Sequence, residues 1–179
     1  MFRLAALTLG APFLAALPVA LMVTLLAPGG PDQPAGAGTG AGPVAGLPPA
    51  MLGLYRRASA TCPGLSWTVL AAVGTIESAN GTSAAPGVHS GANSAGAEGP
   101  MQFEPATFAS YALPVPPGGA VPPTPYDPTD AVYAAARDLC TNGAGTATGL
   151  PAAVFAYNHD HAYVHQVLTL AAGYAATPA

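Results

Sequence analysis

The sequence predicts an all-α domain of five or six helices with long loops, behind an apolar N-terminal segment and a linker. Beyond residue 48, apolar residues recur three or four positions apart, and no convincing run alternates apolar with polar residues. The stretches between these segments are rich in glycine and proline, which end helices. A length of 179 residues fits one domain with appendages.

The N-terminal segment, residues 4–27, contains no charged residue and follows Arg3. As a helix it would be about 36 Å long, enough to cross a hydrocarbon core of about 30 Å. The alternative is a cleaved signal peptide, but those have shorter apolar regions, about 7 to 15 residues, and end at a small-x-small site. We therefore expect residues 1–27 to be a single-pass anchor in the cell membrane, with the following domain outside the cytoplasm. Cleavage would instead give a secreted protein.

Residues 28–48 form the predicted linker. Glycine and proline account for 12 of these 21 residues, a composition typical of an unstructured connection. The folded domain is therefore expected over residues 49–179.

The charge content of this domain limits its partners. Residues 49–179 contain seven acidic residues, three arginines and no lysine. Because binding to a phosphate backbone needs basic residues, nucleic acid is a poor candidate partner.

The chain has two cysteines, Cys62 and Cys140. An even pair in a domain outside the cytoplasm predicts a disulfide between them. The alternative is a pair of buried free thiols.

Helix boundaries follow from capping signals. Ser66 is a predicted N-cap, and so is Asp127, which is followed by Pro128 at the first helical position and by Asp130 in the positive first turn. Asn142 and Gly143 form a predicted helix end. The expected helices are about Pro49–Ala60, Ser66–Ser78, Pro105–Tyr111, Pro128–Thr141, Pro151–Asn158 and Ala162–Ala172.

One helix carries an unusual carboxylate. Trp67, Leu70, Val73 and Glu77 lie three or four residues apart and so share one helical face. An isolated buried charge is very costly, so Glu77 must be neutral, be paired, or face a cleft. A buried carboxyl also has a raised pKa, which suits a proton donor near neutral pH. The alternative is a helix-end glutamate that points into solvent.

Two further segments place polar side chains in apolar surroundings. Residues 96–103, GAEGPMQF, contain Gln102, and residues 155–160, FAYNHD, contain Tyr157 and Asn158. Glycines allow a ligand to approach the backbone closely, and amides and hydroxyls suit a carbohydrate.

Three motifs occur in an order that resembles a known family. IES at 76–78, SAGAEGPMQFEPATF at 94–108 and AYN at 156–158 are similar to segments of bacterial lytic transglycosylases of the lysozyme-like superfamily. The similarity covers roughly residues 50–172. It implies a lysozyme-like fold, peptidoglycan glycan strands as substrate, and cleavage between N-acetylmuramic acid and N-acetylglucosamine. We expect no cofactor.

The resemblance also implies roles for single residues. Glu77 would be the catalytic acid, paired in sequence with Ser78. Ser94 would lie near the N-acetyl group of the sugar, although 16 residues separate it from Glu77, more than in the simplest members. Gln102 and the backbone of Met101 would line the glycan groove.

The last motif supplies two further site residues. Tyr157 would form a hydrogen bond near Glu77, and Asn158 would hold two helices together. The neighbouring His159, Asp160, His161 and His165 could be metal ligands, but we expect no metal and interpret Asp160 as a helix cap. Trp67 and Tyr133 are expected in the core.

The number of carboxylates bears on the product. A glycoside hydrolase normally uses a second carboxylate besides the acid. Glu98, Glu104 and Asp160 have no obvious reason to face Glu77, and Asp127, Asp130 and Asp138 are explained by their helix. We therefore expect a 1,6-anhydro product rather than hydrolysis. The alternatives are a hydrolytic muramidase and a non-catalytic wall-binding domain.

Overall fold

The computed structural model of the chain describes residues 44–177, and within them every regular element is a helix. In chain order these are α1 (Pro49–Ser59), α2 (Trp67–Ser78), α3 (Pro105–Tyr111), α4 (Pro128–Thr141), α5 (Leu150–Asn158) and α6 (His161–Ala176). The prediction of an all-α domain of five or six helices is confirmed.

The predicted helix starts are confirmed by their capping bonds. The Ser66 side chain accepts a hydrogen bond from the Thr68 backbone, and Asp127 accepts from the backbone amides of Thr129 and Asp130. Asp160 caps α6 by accepting from the Ala162 amide at 2.8 Å, as interpreted from the sequence. The end of α6 differs, because this helix continues one turn beyond the predicted Ala172.

Helix α2 lies at the centre of the domain and packs against α1, α4 and α6. Its residues from Leu70 to Val73 are fully buried, as expected for a helix that is apolar on all sides. Gly74 continues this buried stretch, and a Cβ there would collide with the Tyr55 hydroxyl of α1. The glycine therefore lets α1 and α2 approach closely. Trp67 and Tyr133 pack against this core as expected.

The core begins before the first helix. Val44 and Leu47, which the sequence placed in the linker, are 4% and 6% exposed and pack with the other core residues. Both apolar side chains gain free energy from burial, so this end of the glycine- and proline-rich segment belongs to the folded domain.

The predicted disulfide is present between Cys62 and Cys140. It joins the turn after α1 to the last turn of α4, across a sequence separation of 78 residues. In the chain-entropy model, closing a loop of this length stabilises the folded state by about 4.5 kcal/mol.

The proline-rich segment between α3 and α4 is held by Asp130 and Arg137. Asp130 is fully buried, and its carboxylate accepts hydrogen bonds from the backbone amides of Ala120 and Thr124. Arg137 donates to the backbone oxygens of Tyr111 and Pro114. The role of Asp130 is therefore larger than the predicted one in the first turn of α4.

Among residues 44–177, no helix is both long enough and apolar enough to cross a membrane. The expected anchor, residues 1–27, lies outside the part of the chain that the structure describes.

Candidate active site

A cleft of about 610 Å³ lies where the C-terminal ends of α2, α4 and α5 meet α3 and the loop before it. Glu77 from α2 lines it, together with side chains from each of these other elements. A cavity of this size, lined by a few converging polar groups, is typical of a site for a small molecule or an oligosaccharide segment.

Glu77 occupies the last turn of α2, where the apolar stripe of that helix reaches the cleft. Its carboxyl is largely buried, and burial raises its pKa from 4.5 to about 7 by disfavouring the charged form. The Tyr163 hydroxyl donates a hydrogen bond of 2.6 Å to Glu77 Oε1, which opposes part of this increase. Near neutral pH the carboxyl is therefore divided between its acid and base forms.

The end of α2 is fixed to the loop that follows. Ala79 and Asn80 adopt left-handed conformations that end the helix. The Ser78 hydroxyl donates to the Pro100 oxygen at 2.6 Å and accepts from the Gly81 amide at 2.7 Å. Ser78 therefore holds the GPMQF segment against the turn of helix that carries Glu77.

Residues 98–103 form a tight turn. Glu98 and Phe103 exchange two backbone hydrogen bonds of 2.8 and 2.9 Å. Gly99 has a φ of 76°, and a Cβ there would collide with the Pro125 oxygen, so only glycine fits. Gln102 has a φ of 49°, which is uncommon for a residue other than glycine, and its side chain faces the cleft. The turn thus directs Gln102 at the site.

The Gln102 amide is already engaged within the protein. Its Oε1 accepts from Asn93 Nδ2 at 2.9 Å, and its Nε2 donates to the Gly99 oxygen at 2.7 Å. The second hydrogen on Nε2 and the second lone pair on Oε1 remain for a ligand. Gln102 therefore lines the cleft in a fixed orientation.

Ser94, which was expected near the sugar, directly follows the residue that lines the cleft. Ser94 is exposed and does not line the cleft, whereas Asn93 does. The Asn93 side chain accepts from the backbone amides of Ala95 and Ala97 while it donates to Gln102. This bonding makes Asn93 the residue that folds the loop, and it turns Ser94 outward.

Tyr157 forms its hydrogen bond with the loop rather than with Glu77 itself. Its hydroxyl donates to the Met101 oxygen at 2.8 Å, and Tyr163 is the residue that binds Glu77. The Tyr157 ring lies parallel to that of Tyr163, with 6.5 Å between centroids. Met101 is fully buried with its oxygen occupied, so neither its side chain nor its backbone lines the groove. Tyr157 does line the cleft, and it supports the loop.

Asn158 lines the cleft but does not join two helices. It is exposed at the end of α5, and its side chain forms no hydrogen bond with any residue from 44 to 177. The left-handed conformation of His159, the next residue, ends the helix and leaves the Asn158 side chain at the rim. The amide is therefore available to a ligand.

Two further carboxylates line the cleft. Glu104 is exposed at its rim, and Asp138 from α4 is only 6% exposed. Asp138, which was expected to be explained by its helix, also reaches the cleft with its side chain. Glu98 and Asp160, the other candidates for a second carboxylate, do not line it.

These features define a class of protein. A helical domain that presents one largely buried glutamic acid to a cleft lined with amides and tyrosines fits the lysozyme-like fold. A family model described as the transglycosylase SLT domain matches residues 55–176, and the chain belongs to this family. Searches of curated proteins and of solved structures found no significant match.

Proposed function

We propose that this protein cleaves the glycan strands of peptidoglycan as a lytic transglycosylase, with Glu77 as both acid and base. The family supports lytic transglycosylase activity on peptidoglycan in general. The observation that carries the catalytic role is the burial of Glu77 at the cleft with a pKa of about 7. A group with this pKa can give and take a proton near neutral pH.

In the first step, protonated Glu77 donates its proton to the glycosidic oxygen. The bond between that oxygen and C1 of N-acetylmuramic acid breaks, and the N-acetylglucosamine part leaves as an alcohol. Burial supports this step, because it keeps the carboxyl protonated at a higher pH than an exposed glutamate allows.

In the second step, ionised Glu77 accepts the proton of the 6-hydroxyl of the same muramic acid. The oxygen of this hydroxyl bonds to C1, which closes a 1,6-anhydro ring and restores protonated Glu77. No water is consumed. The hydrogen bond from Tyr163 supports this step, since it stabilises the ionised carboxylate.

The second candidate function is hydrolysis of the same bond. The presence of Asp138 and Glu104 in the cleft favours it, because a hydrolase uses a second carboxylate to activate water or to bond to the sugar. We favour the transglycosylase because Glu104 is exposed at the rim and the family is one of transglycosylases.

We further propose that residues 1–27 anchor the protein in the cell membrane, with the cleft on the outer side. The support is the uncharged stretch 4–27, together with a disulfide, which persists in oxidising compartments. Sequencing of the mature N-terminus tests this proposal. An intact Met1 or Phe2 is expected, whereas a start near residue 28 would indicate a cleaved signal peptide.

The catalytic role is tested by Glu77→Gln in the full-length protein, with purified peptidoglycan as substrate. The amide keeps the shape of the side chain but cannot donate the proton, so the rate of muropeptide release should fall at least about a hundredfold. Glu98→Gln is the matched control, since Glu98 lies outside the cleft lining. Retention of more than about a tenth of the activity by Glu77→Gln would assign the acid to another residue.

A further inference from the structure

The positive charge of the domain is concentrated beside the turn that joins α1 to α2. Arg56 and Arg57 occupy the last turn of α1, and Trp67 begins α2. The Arg56 guanidinium lies over the Trp67 ring, 5.1 Å from the ring centroid. Arg57 is exposed, and Trp67 is only partly buried. These three residues, called the α1–α2 patch below, therefore reach the surface together.

Neither arginine of the α1–α2 patch is paired with an acid. Within residues 44–177, the side chains of Arg56 and Arg57 form no hydrogen bond and no ion pair. Arg137 differs, because both of its terminal nitrogens donate to the backbone oxygens of Tyr111 and Pro114. The patch therefore offers two guanidinium groups to a partner outside the domain.

The acidic residues lie in other parts of the sequence. No Asp or Glu occurs from residue 33 to 76 or from 161 to 179, stretches that include α1, most of α2 and all of α6. Three of the acids, Glu77, Glu104 and Asp138, line the cleft instead. The whole chain has a net charge of −4. An anionic surface would therefore attract this protein through the patch and repel its acidic parts, which favours one orientation.

The α1–α2 patch and the cleft lie at opposite ends of α2. Trp67 is the first residue of this helix and Glu77 is the last but one, about 15 Å further along the axis. Helix α6 runs antiparallel to α2. Tyr174, near the end of α6, packs against Trp67, whereas Tyr163, near its start, bonds to Glu77. A contact at the patch therefore leaves the cleft open.

The chemistry of the patch fits the surface of an anionic membrane. Guanidinium groups bind phosphate oxygens through paired hydrogen bonds. Tryptophan is enriched at membrane interfaces, because its ring is apolar and its N–H is polar.

The proposed anchor keeps the domain close to such a surface. Sixteen residues, 28–43, separate residues 1–27 from Val44, which is buried in the core. Even a fully extended connection of this length spans at most about 60 Å. The domain thus stays within reach of the bilayer in which its own anchor would lie.

We propose that the α1–α2 patch is a docking surface for anionic phospholipid headgroups, which holds the domain against the membrane with its cleft open. This inference rests on the proposed membrane anchor and is independent of the reaction. The two arginines bind lipid phosphates, and Trp67 lies at the level of the headgroups. Each arginine increases the ratio of docked to undocked protein about fivefold.

The test uses Trp67 as the reporter, since it is the only tryptophan in the chain. Full-length protein is reconstituted into vesicles of equimolar phosphatidylglycerol and brominated phosphatidylcholine, or of equimolar plain and brominated phosphatidylcholine. Bromine on the lipid quenches the fluorescence of a nearby indole. Quenching should be stronger in the anionic vesicles, and about 0.5 M NaCl should remove the difference, because salt screens the attraction.

Substitutions of Arg57 test the patch itself. Arg57→Gln should lower the ratio of docked to undocked protein about fivefold, and Arg57→Lys, which retains the charge, should restore most of it. Ser94→Asp is the matched control, because it changes the net charge by the same amount at an exposed loop residue. Quenching in Ser94→Asp should equal that of the parent protein. Melting temperatures show that each variant is folded, and the salt dependence tests the proposal without any variant.

Equal quenching in the two kinds of vesicle, or unchanged quenching in Arg57→Gln, would overturn the docking surface. An equal loss in Ser94→Asp would also overturn it, by assigning the effect to net charge. A change in Trp67 emission with soluble poly(glycerol phosphate), without extra quenching in anionic vesicles, would assign the patch to a soluble polyanion instead. Protein that floats with neither kind of vesicle would contradict the anchor and the docking surface together, and would leave the proposed reaction untouched.

Discussion

The hydroxyl of Tyr163 donates a hydrogen bond of 2.6 Å to Oε1 of Glu77 and so joins α6 to the last turn of α2. Tyr163 is 6% exposed, and burial together with the neighbouring carboxyl raises its own pKa, so the phenol keeps its proton and remains a donor. The same bond restrains the Glu77 side chain. Tyr163 therefore restrains the proposed catalytic group and offsets part of the increase in its pKa that burial causes.

Tyr163→Phe should shift the pH dependence of cleavage. The hydrogen bond lowers the pKa of Glu77 by favouring the charged form, so its loss should raise that pKa above the present value of about 7. Activity that requires protonated Glu77 falls as the pH rises through this pKa. The descending limb of kcat/KM should therefore move to higher pH.

Tyr157→Phe is the matched control for Tyr163→Phe. It removes a hydroxyl from a parallel, neighbouring tyrosine whose bond goes to the Met101 oxygen. The descending limb should stay in place, although activity should fall as the GPMQF loop loosens. A shifted limb in Tyr157→Phe, with none in Tyr163→Phe, would contradict the assignment.

Asn93→Ala should be far more harmful than Ser94→Ala. The first change removes three hydrogen bonds that fold the loop and orient Gln102, and we expect a loss of about 1 to 3 kcal/mol in the free energy of unfolding. Ser94 is exposed, so its substitution should stay within about 0.5 kcal/mol. Thermal unfolding and cleavage assays on both variants measure this difference. Equal effects of the two substitutions on stability and cleavage would contradict the role given to Asn93.

The stability of the protein should depend on the ionisation of Glu77. Its pKa in the folded state, about 7, exceeds its ordinary value of 4.5, so between these values the folded state binds more protons than the unfolded chain. The free energy of unfolding should therefore decrease as the pH rises through this window, by up to about 3 kcal/mol from this group.

Glu77→Gln should remove that part of the pH dependence and be more stable than the parent protein at pH 8. The raised pKa of Asp138 acts in the same direction, so a smaller dependence should remain in the variant. Chemical denaturation at pH 5 and pH 8 measures the pH dependence of stability in the parent protein and in the variant. Identical pH dependence in parent and variant would show that Glu77 is not buried as described.

The helices and their caps were predictable because their signals are local. Ser66, Asp127 and Asp160 each bond to an amide two or three residues ahead, a range that sequence patterns cover. Glu77 could be singled out for the same reason, since it continues an apolar stripe on its own helix. The disulfide required only the presence of two cysteines and the expectation of an oxidising compartment.

The partners of Glu77 were less predictable because they depend on packing between distant segments. Tyr163 is 86 residues away from Glu77 in the chain. The AYN motif instead indicated Tyr157, whose ring lies beside that of Tyr163 and parallel to it. The loop from 79 to 97 has no periodicity, so the sequence did not indicate Asn93, whose position depends on a turn that only the structure reveals. The position of the Asp138 side chain at the cleft likewise depends on how α4 packs against the other helices.

Glu77 is proposed to act without a water nucleophile, and the product of cleavage tests this most directly. Full-length protein should be incubated with purified peptidoglycan in heavy-oxygen water, and the muropeptides analysed by mass spectrometry. The proposed function predicts 1,6-anhydromuramic ends that carry no heavy oxygen and are absent with Glu77→Gln. Reducing muramic ends that carry one heavy oxygen would contradict it and identify a hydrolase.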